Sequence, residues 1–507
     1  MNRLFARTLT PLLLVGALTP ALAAEPSASA APASADARLI ELLVEQGVIS
    51  RAKADAYLKD SKDAKDAPSA AGAPVRVPYV PGFVRDEIKS ELRAELKAQA
   101  EREGWAGPGA VPDWVRRISF DGDLRVRYQR DDFASNNAID LSVSDTNRNR
   151  SLTLLNTSVD RQRLRVRGRF GLTAIVDDSW SVGLRLSTGS ATDPLSENQT
   201  LGTSGNRLPV AFDRAYVRYR SGEAFNVVAG RIGNPWFGTD LVWASDLGFD
   251  GVAAQWTPQL SADTRAFATL AALPIQEVEL SNRDKWLFGA QVGADAVKVI
   301  GDAGAKVGLG FYKYANVVGR KDPAGGTLNE FTAPGFAQKG NTYYDINSDA
   351  TRPNATLFGL ASDYRLLNLT AALDVPLAPG ISLLPTLDLV RNLGFERAAV
   401  SARVGEDVAP KTRGQLLRVA IGSHSIAKVG DWQVSVSHKR VERDAVLDAY
   451  TDSDFHLGGT DAKGFILGGS YGVGRNAALT ARILSAKAID GPPLDINVMQ
   501  LDLSVRF

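Results

Sequence analysis

Apolar and polar residues alternate along most of the chain after Trp114. The first segment with this pattern places Phe120, Leu124, Val126 and Tyr128 between Asp121, Asp123, Arg125 and Arg127. The last segment separates Met499, Leu501, Leu503, Val505 and Phe507 by Gln500, Asp502, Ser504 and Arg506. A period of two residues predicts β-strands with one apolar and one polar face.

Three features of these segments favour a transmembrane β-barrel over a soluble sheet. The segments are about 10 residues long or more, which is the length that a tilted strand needs to cross a bilayer. Their polar faces carry full charges, which suit a water-filled interior. Aromatic residues near the ends of the apolar faces would form an interfacial girdle: Tyr128, Trp180, Tyr219, Trp256, Trp286, Tyr471 and Phe507.

The connections between segments alternate in length, as periplasmic turns and extracellular loops do in outer-membrane barrels. The short ones are Asp177–Asp178, Ser221–Glu223, Thr257–Ser261, Ala296–Gly304, Leu377–Gly380, Ser425–Gly430 and Gly472–Arg475. The long ones are Asp131–Asp160, Ser190–Pro209, Ile232–Gly248, Leu273–Asp284, Ala315–Asn354, Gly394–Lys411, Arg443–Asp461 and Ala486–Ile496. With Thr356–Val375 as one long strand, these connections predict a 16-stranded antiparallel barrel, which encloses an aqueous lumen.

The N-terminal region predicts export. Residues 1–23 have the basic, apolar and small-residue parts of a signal peptide. Residues 24–112 predict a short periplasmic α-helical segment with linkers, and residues 113–507 the barrel in the Gram-negative outer membrane. A helical stripe, Val84, Ile88, Leu92 and Leu96, is either a docking or self-association surface or an ordinary solvated helix.

Composition removes several classes of function. The chain of 507 residues has 58 basic and 57 acidic residues, no Cys and three His, so a basic nucleic-acid binder, thiolate metal sites and cysteine chemistry are excluded. His424 and His438 lie on neighbouring predicted strands with opposite parity, which disfavours a barrel hydrolase. We therefore expect no enzyme activity, no catalytic residue, no metal and no cofactor.

Several motifs resemble the bacterial "putative porin" family. They are Pro112–Val115 leading into Phe120–Tyr128, Gly230–Phe237 continuing through Asp240–Trp243 to Phe249–Val252, Gln338–Thr342, and the terminal Phe507. The likeness covers most of the chain after the signal peptide, and the terminal Phe is general to outer-membrane barrels. The resemblance implies diffusion of small solutes across the outer membrane and brings no catalytic residue with it.

The polar faces also suggest where a solute would pass. An arginine ladder of one parity, Arg161, Arg163, Arg165, Arg167 and Arg169, adjoins Arg125 and Arg127. Because apolar residues occupy the opposite parity, the ladder is expected to face the lumen. The loop Ile232–Gly248 is expected to fold inward and set Asp240 and Asp246 across from it. The alternative is a solvated arginine wall beneath an external lid.

The leading hypothesis is therefore a porin for passive diffusion of small hydrophilic solutes or ions, with a preference for anions. Two alternatives stay open: a solute-specific channel for anions such as phosphate or organic acids, and a structural anchor whose N-terminal segment tethers the outer membrane to the cell wall. The expected partners are outer-membrane lipid and small solutes. A homotrimer is plausible by analogy with other 16-stranded porins.

Overall fold

The structure is a computed structural model that describes Arg51 and residues 113–139, 142–143, 153–154, 156–279, 281–324, 326–347 and 357–507. The predicted signal peptide and, apart from Arg51, the predicted segment 24–112 lie outside these residues. A short helix, α1 (Asp113–Arg116), precedes the first strand. Within the described ranges, no helix has both the length and the apolar character needed to cross a membrane.

Sixteen antiparallel strands form one closed barrel. In chain order they are β1 (Ile118–Phe133), β2 (Arg161–Ile175), β3 (Trp180–Thr188), β4 (Val210–Ser221), β5 (Phe225–Gly233), β6 (Gly248–Trp256), β7 (Thr264–Gln276), β8 (Lys285–Ile300), β9 (Ala303–Ala315), β10 (Arg365–Ala378), β11 (Ile381–Asn392), β12 (Arg413–Gly422), β13 (Trp432–Val441), β14 (Ala462–Gly474), β15 (Ala477–Ala488) and β16 (Asp495–Arg506). Each strand pairs with its sequence neighbours, and β1 pairs with β16 to close the barrel. Two shorter segments, Gln199–Thr200 and Gln259–Ser261, also join the sheet. The predicted 16-stranded fold is confirmed.

The two faces of each strand follow the alternation in the sequence. On β1, the side chains of Leu124 and Val126 are 50% and 40% exposed, whereas Arg127 and Gln129 are 1% and 3% exposed. The exposed apolar residues form the outer surface of the barrel, and the charged residues point inward. This arrangement is the inverse of a soluble protein and matches a barrel whose outside contacts lipid.

The short turns lie at one end of the barrel and the long loops at the other. At the turn end Trp180 contacts Tyr219 with a ring-centroid distance of 4.9 Å. The chain terminus also closes the sheet there, because Phe507 and Gly122 exchange two backbone hydrogen bonds of 3.0 Å. A Cβ atom built on Gly122 would lie 2.5 Å from the Phe507 ring, so the close approach of that ring requires glycine.

One predicted strand boundary is wrong. The strand expected at Thr356–Val375 begins at Arg365, and the segment before it belongs to the loop. There, Phe358–Leu360 pairs with Tyr343–Asp345 in a separate two-stranded sheet. Leu360 and Tyr364 are buried within the folded loops, so their apolar character reflects packing there and not contact with lipid.

The loop between β11 and β12 contains a helix that the sequence pattern did not predict. This helix, α2 (Arg397–Val404), ends at Gly405, whose φ of 90° is the left-handed conformation that glycine adopts readily. Val400 is its one buried residue. A single buried position gives almost no helical periodicity, which is why the segment reads as an irregular loop.

Candidate functional site: a basic wall inside the barrel

A continuous group of arginines covers the inner surface of neighbouring strands. Its centre is the β1–β2 pair, where Arg127 is opposite Arg165 and Arg125 is opposite Arg167. We define the basic wall as the inward-pointing arginines of β1–β4 and β15: Arg125, Arg127, Arg163, Arg165, Arg167, Arg169, Arg185, Arg214, Arg218 and Arg482. Arg161, the first residue of β2, is exposed. Like charges this close repel one another unless acids or water compensate them.

Acids on the strands themselves compensate part of the wall. Asp123 receives hydrogen bonds from Arg167 at 2.9 Å and from Arg169 at 2.5 Å. Asp131 pairs with Arg163 at 2.7 Å. Asp502, on β16, accepts two hydrogen bonds from Arg127, at 2.7 and 2.9 Å, in the bidentate geometry that suits a guanidinium group. These pairs fix the planes of several guanidinium groups.

Loop acids provide a second set of partners. Glu197, in the loop between β3 and β4, lies 2.9 Å from Arg185 and 3.4 Å from Arg169. Burial and the nearby Asp246 carboxylate raise the pKa of Glu197 to about 7. A carboxyl group of this kind changes its charge near neutral pH, directly beside the arginines.

Asp454 plays a similar part from the loop between β13 and β14. Its carboxylate lies 3.1 Å from Arg127 and 2.8 Å from Arg482. Burial alone would raise its pKa, but the two guanidinium groups outweigh this and hold the pKa of Asp454 well below its usual range. Asp454 therefore stays ionised and fixes this loop to the wall.

The loop of residues 234–247, between β5 and β6, lies inside the barrel. Residues facing the lumen on the far side hold it: Gln291 on β8 exchanges hydrogen bonds with the backbone of Phe237 at 2.8 and 2.6 Å. Asp388 on β11 accepts hydrogen bonds from the amide and hydroxyl groups of Thr239, at 3.0 and 2.6 Å. The loop is thus anchored to the wall opposite the arginines.

Aromatic packing holds the same loop more firmly. Trp236 and Trp243 each pack on Tyr312 of β9 with centroid distances of 5.0 Å, and the ring planes are inclined by 64° and 85°. Both tryptophans are almost fully buried. Burying rings of this size inside the lumen stabilises the inward position by several kcal/mol, on the order of 2 kcal/mol for each ring.

The structure separates the two acids that the sequence placed on this loop. Asp246 reaches the basic wall, with its Oδ1 atom 3.0 Å from Nη1 of Arg167. Asp240 lies on the other side, 4.0 Å from the ammonium group of Lys439. That buried lysine also pairs with Asp452 at 3.2 Å. Of the two predicted acids, the structure therefore brings only Asp246 to the ladder.

Four arginines of the wall have no carboxylate partner among the described residues: Arg125, Arg165, Arg214 and Arg218. Arg125 donates to the side-chain oxygen of Asn198 at 2.6 Å, and Arg165 makes longer hydrogen bonds of 3.3–3.5 Å to neutral oxygens. The Nε atom of each of the four is buried without a hydrogen-bond partner.

A cavity of about 570 Å³ lies beside the wall, between the loops at the long-loop end. Glu197, Asp213 and Asp246 line the part nearest to the arginines. This volume is within the range of small-molecule pockets. It provides a space for a small solute next to the charged groups.

Sequence reasoning missed several of these acids. Glu197 and Asp454 lie in loops without periodicity, and nothing in the sequence indicates that they face the arginines. Asp123 and Asp131 were detectable, because they share the inward parity of Arg125 and Arg127. Within the described part of the chain, no cluster of three or more acidic or histidine side chains could hold a metal ion.

These features together define the class of protein: a closed 16-stranded barrel, apolar outside and charged inside, with a loop folded into its lumen, is an outer-membrane channel. The chain belongs to the family described as "Putative porin", whose profile matches residues 33–507, and the predicted membership is confirmed. Family and fold point to a channel and not to an enzyme.

Three solved bacterial structures match the chain at low sequence identity. OprB of Pseudomonas putida has 11% identity and a TM-score of 0.44, covering 78% of this chain and 95% of its own. The channel DcaP of Acinetobacter baumannii has 11% identity and a TM-score of 0.40, covering 77% and 97%. A loop-deletion mutant of OmpT of Vibrio cholerae has 12% identity and a TM-score of 0.39, covering 77% and 99%. No curated protein sequence matches this chain significantly.

Proposed function

We propose that this protein is a passive channel for small hydrophilic solutes and that its basic wall gives it a preference for anions. The observation that carries the proposal is the incomplete neutralisation of the wall. Arg125 and Arg165 lie on adjacent strands at its centre, and each is bound only to neutral groups. Fixed charge on a pore lining sets ion preference, and unpaired guanidinium groups attract anions.

The loop of residues 234–247 makes the lumen narrower opposite this wall. It is anchored on β8, β9 and β11 and touches the wall through Asp246. A solute would then pass between the loop and the arginines, close enough to interact with both. In this proposal, the residues that line the path are those of the predicted ladder together with Asp246. Asp240 belongs to the anchoring side.

The test is the ion preference of a double variant, Arg125→Gln and Arg165→Gln, in a planar bilayer with a salt gradient. The reversal potential of the variant should shift toward cations relative to the wild-type protein. Arg130→Gln is the matched control, because Arg130 is on the same strand, points outward and pairs with Asp132 at 2.7 Å. Equal shifts in both variants, or no shift in the double variant, would refute the proposal.

A further inference from the structure

The outer surface of the barrel carries a second set of cations, unrelated to the lumen. Near the long-loop end, one outward-pointing basic residue occurs on each of seven consecutive strands, β9 to β15. We call this set the outer cation belt: Lys313, Arg365, Arg391, Arg413, Arg440, Lys463 and Lys487. Each shares the parity of exposed apolar residues on its own strand, such as Phe311 beside Lys313 and Phe465 beside Lys463.

Strand register places these cations directly beside one another. Lys313 is opposite Arg365, and Arg391 is opposite Arg413. Lys463 is opposite Arg440 on one side and Lys487 on the other, so three cations form one row. Like charges directly opposite each other destabilise a sheet. The stability of the barrel therefore does not account for the belt.

Internal acids neutralise only two members. Arg365 pairs with Asp363 at 3.5 Å and Glu396 at 3.4 Å, and Arg440 pairs with Glu442 at 3.3 Å. The remaining members form no side-chain ion pair or hydrogen bond with any part of the chain that the structure describes: Lys313, Arg391, Arg413, Lys463 and Lys487. Five cations in the belt are open to an external anion.

The other half of the barrel differs. The outward cations near the same end of β1 and β5 are Arg130 and Arg231, and each has an acid partner. Arg130 pairs with Asp132 at 2.7 Å, and Arg231 pairs with Asp250 at 2.8 Å. The unpaired positive charge is thus concentrated on one side of the barrel perimeter. Surface charge that served only solubility would not need to be confined to one side.

A hollow of about 710 Å³ on the outer surface adjoins the belt at Lys463 and Lys487. Its lower part is aromatic, with the rings of His438 and Phe465 in contact at 5.0 Å. Asp132, which Arg130 holds, and Asp495, opposite Lys487 in register, also line the hollow. Lysine groups above an aromatic floor suit an amphipathic molecule that has an anionic head and apolar chains.

We propose that the outer cation belt binds the phosphorylated glycolipid headgroups of the outer leaflet. The belt faces lipid, lies at the boundary between the apolar band and the long loops, and belongs to an outer-membrane protein. Phosphate groups would bridge neighbouring cations such as Lys463 and Lys487, removing their mutual repulsion. A second copy of the chain does not suit this surface, because two such belts would repel. The inference is independent of the ion preference of the lumen.

The experiment compares lipid affinity for the full-length protein in detergent. Purified lipid A with its phosphates is titrated into wild-type protein, into the double variant Lys463→Gln, Lys487→Gln, and into a control, Lys298→Gln, Lys428→Gln, which removes two exposed lysines at the turn end of the barrel. Bound lipid is counted by native mass spectrometry. Each cation near an anionic lipid surface contributes about 1 kcal/mol of binding free energy, so the loss of two lysines should weaken lipid A binding about 30-fold. The control should bind like the wild type.

Two further ligands, dephosphorylated lipid A and inorganic phosphate, distinguish binding of the lipid phosphates from binding of the acyl chains or of free phosphate. The dephosphorylated lipid should bind wild-type protein as weakly as lipid A binds the lysine variant, and phosphate alone should displace lipid A only at much higher concentration. Equal affinity in all three proteins, equal binding of the dephosphorylated lipid, or displacement by phosphate at matched concentration would overturn the proposal. Heat-modified mobility on gels and unchanged conductance check that each variant is folded.

Discussion

Asp246→Asn isolates the electrostatic contribution of the inward loop. The side chain keeps its shape, but the wall loses the carboxylate 3.0 Å from Arg167. Removing one negative charge about 7 Å from a passing ion changes the energy of that ion by about 0.6 kcal/mol in water. Screening at 0.1 M salt, where the Debye length is about 10 Å, leaves roughly half of this.

A change of about 0.3 kcal/mol multiplies the entry of an anion by roughly 1.6 and divides that of a cation by the same factor. The anion-to-cation permeability ratio of Asp246→Asn should therefore rise roughly threefold, as measured from reversal potentials in a salt gradient. Asp132→Asn, which alters an outward carboxylate paired with Arg130, is the control and should leave the ratio unchanged. An unchanged or lower ratio for Asp246→Asn would show that Asp246 is remote from the ion path.

Three further predictions concern the pH response, the loop anchor and the closure of the barrel. Because the pKa of Glu197 is about 7, protonation below that pH removes a negative charge from the wall. The anion preference should rise as the pH falls from 8 to 6, and Glu197→Gln should weaken this dependence. Asp388→Ala removes the acceptor of two Thr239 hydrogen bonds, so its single-channel conductance should be larger and noisier than that of the wild type; identical traces would refute the anchoring role. Gly122→Val would overlap the Phe507 ring and should lower stability by about 1–3 kcal/mol, seen as a lower temperature of heat-induced unfolding on gels.

The sequence was most informative where structure has a strict period. Alternation along β1 and β16 correctly separates outward residues such as Leu124 and Leu501 from inward ones such as Arg127 and Asp502. It succeeds because a strand in a barrel has one wet face and one lipid face, so each residue contrasts with its neighbour. The even strand count depended on taking Thr356–Val375 as one strand, which leaves eight long and seven short connections.

Loops were less predictable because their contacts depend on the closed barrel. Asp246 was a candidate partner of the ladder because its loop carries several aromatic residues that would not stay in water. Glu197 and Asp454 had no such signal, although both reach the same wall. Asp240 looks like Asp246 in the sequence, but its backbone oxygen accepts hydrogen bonds from Lys439 and Thr451, which hold it on the side away from the ladder. Leu360 and Tyr364 led to a strand prediction that is wrong, because they are buried within the folded loops. Loop packing uses the same apolar residue types as a membrane-spanning strand.

The most direct test of the central claim is the conductance and ion preference of the wild-type protein in a planar bilayer under a potassium chloride gradient. An aqueous lumen lined by unpaired guanidinium groups should give stable open channels with a reversal potential on the anion side. Folded protein that shows no conductance, or open channels that prefer cations, would contradict it.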